Sequence, residues 1–185
     1  MDEMKRRTTL AILVNNKAGV LMRVVGLFAR RGYNIDSLSV SETERPDISR
    51  ITIVVTCDSI IIEQIKRQVE KLYDVKRVFE MTSSGSVQRE LVLIKVRADE
   101  DTRSHIVEIG DIFKAKIIDV TPETVTMQLT GTSEKLDSFF ALIKQYGIVE
   151  LVRTGTTALE RGSRALSEIE FENRTHGGSY EQNVL

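Results

Sequence analysis

The sequence predicts an α+β protein made of two tandem ferredoxin-like βαββαβ sandwiches, each an antiparallel sheet with both helices on one face. Three observations carry this. Hydrophobic spacing alternates between strand and helix periods through the first half of the chain. The same order of elements recurs after Ser83-Ser84-Gly85-Ser86, a small polar stretch that reads as a linker. The chain has 185 residues, 41% hydrophobic and 29% charged, which suits one ordinary domain or two small ones.

Residues 8–14 form a short apolar run ending at Asn15-Asn16, the mark of a buried strand. From residue 20 to 31 the period changes: Leu21, Val24, Val25 and Phe28 fall at helical spacing, and Gly32 is the stop signal. Ile35, Leu38 and Val40 belong to a second strand, Pro46-Asp47 to a turn, and the β-branched residues 51–55 to a central strand. Ile61, Ile62, Ile65, Val69 and Leu72 make a second helical stripe, and residues 75–79 the last strand.

In the second copy, residues 91–96 form a strand, and Ile106, Ile109, Ile112 and Phe113 mark a helix. Residues 117–120 and 125–129 pair across Thr121-Pro122-Glu123. A helix over Leu136, Phe139, Phe140 and Ile143 stops at Gly147, and residues 148–152 close the set. The expected division is therefore 1–82, 83–162 and a tail, 163–185, which reads as disordered.

Each copy is small enough to be marginal alone. In the first strand Leu10, Ile12 and Val14 alternate with Ala11 and Leu13, so apolar side chains point both ways. The expectation is that another chain covers the outer face or edge, making the protein a homodimer or higher homo-oligomer.

Candidate chemistry is sparse. His105 and His176 have no second ligand at metal spacing, and Cys57 ends an apolar strand, where it reads as a small core residue. A single cysteine forms no intrachain disulfide. Asp99-Glu100-Asp101 reads as a solvated loop rather than a cation site. No phosphate-loop motif is present, and no apolar run reaches the length of a membrane span. The charged start leads straight into a strand without a secretory leader, so the expected location is cytoplasmic. The same fold serves RNA recognition, but the central strands lack the aromatic residues that stack bases. The net charge of −1 also argues against nucleic acid.

One segment stands out. Asn15-Asn16-Lys17-Ala18-Gly19 joins the first strand to the first helix, where free N–H groups and the positive end of the helix dipole point outward. A small carboxylate can bind there if the backbone allows close approach, as Gly19 does. Asn16 supplies a donor and an acceptor, and Asn34 is read as turned toward the same end of the sheet. The alternative is that these are ordinary turn residues.

The runs Asn16-Lys17-Ala18-Gly19-Val20-Leu21 and Leu27-Phe28-Ala29-Arg30-Arg31-Gly32-Tyr33-Asn34-Ile35 resemble the ACT domain of the acetolactate synthase (acetohydroxyacid synthase) small-subunit family. The likeness continues through Ser49-Arg50-Ile51-Thr52-Ile53, Arg89-Glu90-Leu91-Val92, Ile117-Ile118-Asp119-Val120-Thr121 and Leu129-Thr130-Gly131-Thr132 to Arg153-Thr154-Gly155. Ala18 departs from the Pro or Ser that many ACT domains carry before the glycine.

The resemblance implies a regulatory subunit without an active site. It activates a large catalytic subunit that holds thiamine diphosphate, FAD and magnesium, while this chain binds no cofactor. The large subunit makes acetolactate in branched-chain amino acid synthesis, and the small subunit confers feedback inhibition, usually by valine. The resemblance further implies ACT domains paired side by side, with the effector at the dimer interface. By position, Asn16, Gly19 and Asn34 become effector-binding residues, with Val20, Leu21 and Ile35 as pocket neighbours. The second copy lacks an Asn-x-x-Gly loop, which argues against a second effector site. Competing readings are a free-standing ACT amino-acid sensor and a tandem RNA-binding module.

Overall fold

The computed structural model describes residues 5–163 together with 165 and 166. The first half runs β1 (Arg6–Asn15), α1 (Val20–Arg30), β2 (Ser37–Glu42), β3 (Ile48–Cys57), α2 (Ser59–Val69) and β4 (Val75–Met81). The second runs β5 (Ser86–Arg97), α3 (Arg103–Phe113), β6 (Lys116–Val120), β7 (Thr124–Gly131), α4 (Ser133–Ile143), β8 (Ile148–Arg153) and β9 (Thr157–Glu160). The sheets are ordered β2-β3-β1-β4 and β6-β7-β5-β8, all antiparallel, which is the ferredoxin-like arrangement in both copies.

Each half has its own core because strand and helix periods aim their apolar residues at one layer. Leu10, Ile12 and Val14 of β1 meet Ile51, Ile53 and Val55 of β3 beneath Val24 and Phe28 of α1 and Ile62 and Ile65 of α2. In the second half, Val92, Ile94 and Val96 pack with Met127, Leu129, Ile106 and Phe139. Phe28 and Phe139 are the largest fully buried side chains.

Three expectations need correction. Residues 83–86 are no flexible linker: Gly85 N–H donates to Thr82 Oγ1 (3.1 Å), Ser86 Oγ donates to the Thr82 carbonyl (2.6 Å), and β5 begins at Ser86. The two-sided apolar character of β1 is also met within the chain. Ala11, Leu13, Ile48 and Met81 on the outer face cluster with Ala158 of β9 and with Leu166. β9 pairs with the start of β5 and brings the end of the second half onto the first sheet, so no second chain is required there. The third concerns the tail: Leu166 is buried, whereas the expectation for 167–185 lies outside the described residues.

Polar contacts lock the halves. Thr9 Oγ1 donates to Gln88 Oε1 (3.1 Å), and Thr156 N–H donates to Ser37 Oγ (2.8 Å). Glu90 is the hub. Its buried carboxylate accepts from Ser133 Oγ (2.9 Å), Thr156 Oγ1 (2.8 Å) and Arg153 Nε (2.5 Å). Burial works against the Arg153 charge, but hydrogen bonds to Glu90 and Asp137 outweigh it and raise the guanidinium pKa.

Gly155 marks the closest approach, since a Cβ there would lie 2.4 Å from the Leu38 carbonyl oxygen. Gly155→Ala therefore pushes backbone against backbone between the halves, and a loss of about 1–3 kcal/mol is expected. Chemical denaturation checks this; an unchanged midpoint would contradict the packing.

Candidate functional site

The loop between β1 and α1 is built by its glycine. Gly19 sits at the helix N-cap with φ +80°, a left-handed conformation that side chains rarely adopt. Most N-caps donate a side-chain oxygen to the first turn; here there is no side-chain cap. Val20 N–H reaches back to the Lys17 carbonyl (3.3 Å), and the first turn closes with Arg23 N–H on the Gly19 carbonyl (3.1 Å). Among the described residues, the N–H groups of Gly19, Leu21 and Met22 find no acceptor. A helix start with open donors carries the positive end of the dipole and suits a carboxylate.

A cation stands beside these donors. Arg23 Nη1 lies 3.4 Å from the position a Gly19 Cβ would occupy. Its Nη2 donates to Asp74 Oδ2 at 2.6 Å, and Asp74 also accepts from Asn15 Nδ2 at 3.3 Å. Asn15 N–H on the Asp74 carbonyl (2.8 Å) ties this loop to β1. Desolvation works to raise the Asp74 pKa, but the hydrogen bonds from Asn15 and Arg23 prevail and lower it. Sequence spacing did not single out Arg23 or Asp74, because they are 51 residues apart and no local pattern joins them.

The other expected residues are distributed unevenly. Asn16 is exposed at the same end, and its Nδ2 donates to Glu42 Oε1 and the Pro46 carbonyl, both at 2.9 Å. Leu21 is half-buried, and the Val20 side chain belongs to the core. Asn34 lies elsewhere. It precedes β2, whereas Asn16 touches Glu42 at the far end of that strand, so the length of β2, about 17 Å at ~3.3 Å per residue, lies between them. The reading that Asn34 faces the same end of its own sheet is therefore wrong: α1 runs back along the sheet before β2 begins. Asn34 Nδ2 instead donates to Asp36 Oδ1 (2.9 Å), beside half-buried Ile35.

The equivalent loop of the second half carries a carboxylate of its own. Asp99 Oδ1 accepts from Thr102 N–H (2.8 Å) and Thr102 Oγ1 (2.6 Å), and these bonds lower the Asp99 pKa. The carboxylate takes groups of Thr102 just ahead of α3, which, like α1, has no side-chain cap. Elsewhere His105 is exposed, and burial, then Asp58, push the Cys57 thiol up. Among the described residues no helix is long and apolar enough to cross a membrane.

Because the Asp74 pKa is depressed on folding, its stabilising contribution is present above the unfolded value and lost as pH falls through the folded one. An NMR titration of the Asp74 carboxyl should give a midpoint below 3.8, the ordinary value; a midpoint at or above it would mean that Arg23 is not held there.

With this geometry in place, comparison with known proteins is specific. Residues 10–77 match the small-subunit-like ACT domain model of acetohydroxyacid synthase, and residues 89–162 match the model for the small subunit of acetolactate synthase. A probable acetolactate synthase small subunit from Archaeoglobus fulgidus is 50% identical over 84% of this chain and 98% of its own. The acetolactate synthase small subunit of Mycolicibacterium smegmatis is 47% identical over 85% of this chain and 93% of its own. The crystal structure of the acetolactate synthase small subunit from Thermotoga maritima superposes with a TM-score of 0.79 at 42% identity, covering 86% of this chain and 99% of that one.

Proposed function

The chain belongs to the acetolactate synthase small-subunit family, and from that premise we propose that it is the regulatory subunit of a cytoplasmic holoenzyme. It binds and activates the large catalytic subunit and transmits feedback inhibition by a branched-chain amino acid, valine foremost. The transferase chemistry joins two pyruvates, or pyruvate and 2-oxobutyrate. In this reading thiamine diphosphate, FAD and magnesium sit on the catalytic partner.

The observation that carries the proposal is the open first turn of α1 beside the Arg23 guanidinium. The effector carboxylate takes the N–H groups of Gly19, Leu21 and Met22, with Arg23 as counter-ion. The Val20 N–H is spent on Lys17, so it contributes nothing to the ligand. Asn16 and Asn34 receive the ammonium through their amide oxygens, and Leu21 and Ile35 meet the aliphatic side chain.

Gly19 and Asn34 lie at opposite ends of one chain, so a complete site needs two copies. Strand β2 is an edge strand whose first residues, Ser37 and Leu38, are met by Thr156 and Gly155, while Val40 and, on α1, Met22 are exposed. A two-fold axis that sets two β2 edges side by side brings Asn34 of one copy to Gly19 of the other. A ligand that touches both copies favours the paired state over the separate one and so shifts the quaternary equilibrium. The catalytic subunit then responds to that shift.

The direct test is acetolactate formation by the large subunit, with and without this chain, across titrations of valine, isoleucine and leucine. Activity should rise on adding the chain and fall again with valine; no response to the chain overturns the proposal. Gly19→Asp costs about 1 kcal/mol of backbone strain, so the fold survives. Its carboxylate fills the effector's place beside Arg23, and feedback should vanish while activation remains. Valine sensitivity at the wild-type concentration would move the site elsewhere. Asn34→Ala should weaken valine binding by about 1–3 kcal/mol, and calorimetry giving an unchanged affinity would remove Asn34 from the site.

A further inference from the structure

The two asparagines assigned to the effector's ammonium are each held by a carboxylate. Asn16 Nδ2 donates to Glu42 Oε1 and to the Pro46 carbonyl, both at 2.9 Å, and its backbone N–H donates to the Asp47 carbonyl at 2.8 Å. Asn34 Nδ2 donates to Asp36 Oδ1 at 2.9 Å, and Asp36 Oδ2 in turn accepts from the Thr56 hydroxyl at 2.6 Å. An ionised carboxylate and a peptide carbonyl only accept. Turning either amide over would set oxygen against oxygen, so both NH2 groups face these partners and both Oδ1 atoms face away. Among the described residues nothing donates to Asn16 Oδ1 or Asn34 Oδ1.

An unheld amide is ambivalent. Its oxygen suits an ammonium, whereas its NH2, brought round by a half-turn of the amide, suits a carbonyl oxygen. The choice matters in this holoenzyme, because its 2-oxo acid substrates share with the effector a carboxylate and a short aliphatic body. The open N–H groups of α1 and the Arg23 guanidinium take a carboxylate of either class. Only the next carbon differs, with an ammonium in one class and a ketone oxygen in the other.

Resting on the effector reading above, we propose that Glu42 and Asp36 are positioning residues that make the site select a 2-amino acid and refuse the corresponding 2-oxo acid. Glu42 acts through Asn16 of one copy, and Asp36 through Asn34 of the other. Locked this way round, the two amide oxygens accept from the ammonium, and the carboxylates behind them add a favourable field. A ketone at the same place meets oxygen lone pairs and finds no donor, which weakens its binding. The regulatory site thus ignores substrate and answers to the amino acid.

Calorimetric titration of the full-length chain tests this with valine, with 3-methyl-2-oxobutanoate, which carries a ketone on the same skeleton, and with 3-methylbutanoate, which carries neither group. Two charge-assisted hydrogen bonds should make the wild-type chain prefer valine to the ketone by at least about 100-fold. Asp36 and Glu42 are both exposed, so the double variant Asp36→Asn, Glu42→Gln keeps the fold and the side-chain sizes while letting each amide turn over. Its preference for valine over the ketone should fall by at least about tenfold, with the affinity for 3-methylbutanoate unchanged. Asp36→Asn alone should account for most of the fall, because the Pro46 carbonyl still holds Asn16. A double variant that keeps the wild-type preference, or that weakens all three ligands alike, overturns the proposal and leaves the effector site in place. A wild-type chain that takes the ketone as readily as valine also overturns it. No valine binding by the wild-type chain overturns the effector reading, and this inference with it.

Discussion

A helix must do something with the N–H groups of its first turn, and most of what distinguishes this protein follows from how α1 meets that requirement. A left-handed Gly19 stands where a capping side chain would, so the donors of Gly19, Leu21 and Met22 stay open. Arg23 adds a charge at the same spot and is itself held by Asp74 and Asn15. The result is an exposed group of backbone donors with a guanidinium beside it, suited to a carboxylate.

Comparison of the two halves sharpens this. They share strand order, helix placement and core design, yet the loop before α3 carries the Asp99 carboxylate, bonded to Thr102, where the loop before α1 carries Gly19. One fold thus carries two versions of the same junction, one with an acidic side chain in the loop and one with a left-handed glycine. The second half instead supplies mass and a fixed seam. Thr156 and Gln88 bond Ser37 and Thr9 across it, Glu90 and Arg153 hold Thr156 from within the second half, and Gly155 allows backbone to approach backbone.

Much of the fold was legible because strand and helix periods are clean in this chain. Leu10, Ile12 and Val14 against Val24 and Phe28 already define a one-sided core. The loop residues Asn16 and Gly19 were legible for a different reason: left-handed turns and open helix starts have few compatible sequences. What stayed hidden was long-range. β9 is only four residues long and pairs with a strand about 70 positions earlier, so no local pattern announces it. The cover that Ala158 and Leu166 give to Ala11 and Leu13 was mistaken for a second chain's task for the same reason. Asn34 was placed at the wrong end because its distance from Asn16 depends on the direction of α1 across the sheet, which spacing does not encode.

The central claim is that the first turn of α1 receives the effector's carboxylate, completed by Asn34 of a paired copy. Amide chemical shifts of the full-length chain during a valine titration address it most directly. The account predicts large shifts at Gly19, Leu21 and Met22, a saturable change in the Asn34 side-chain amide, and none at the Asp99–Thr102 junction. Saturable shifts that cluster around Thr102, or that leave Gly19 and Asn34 unmoved, would contradict it.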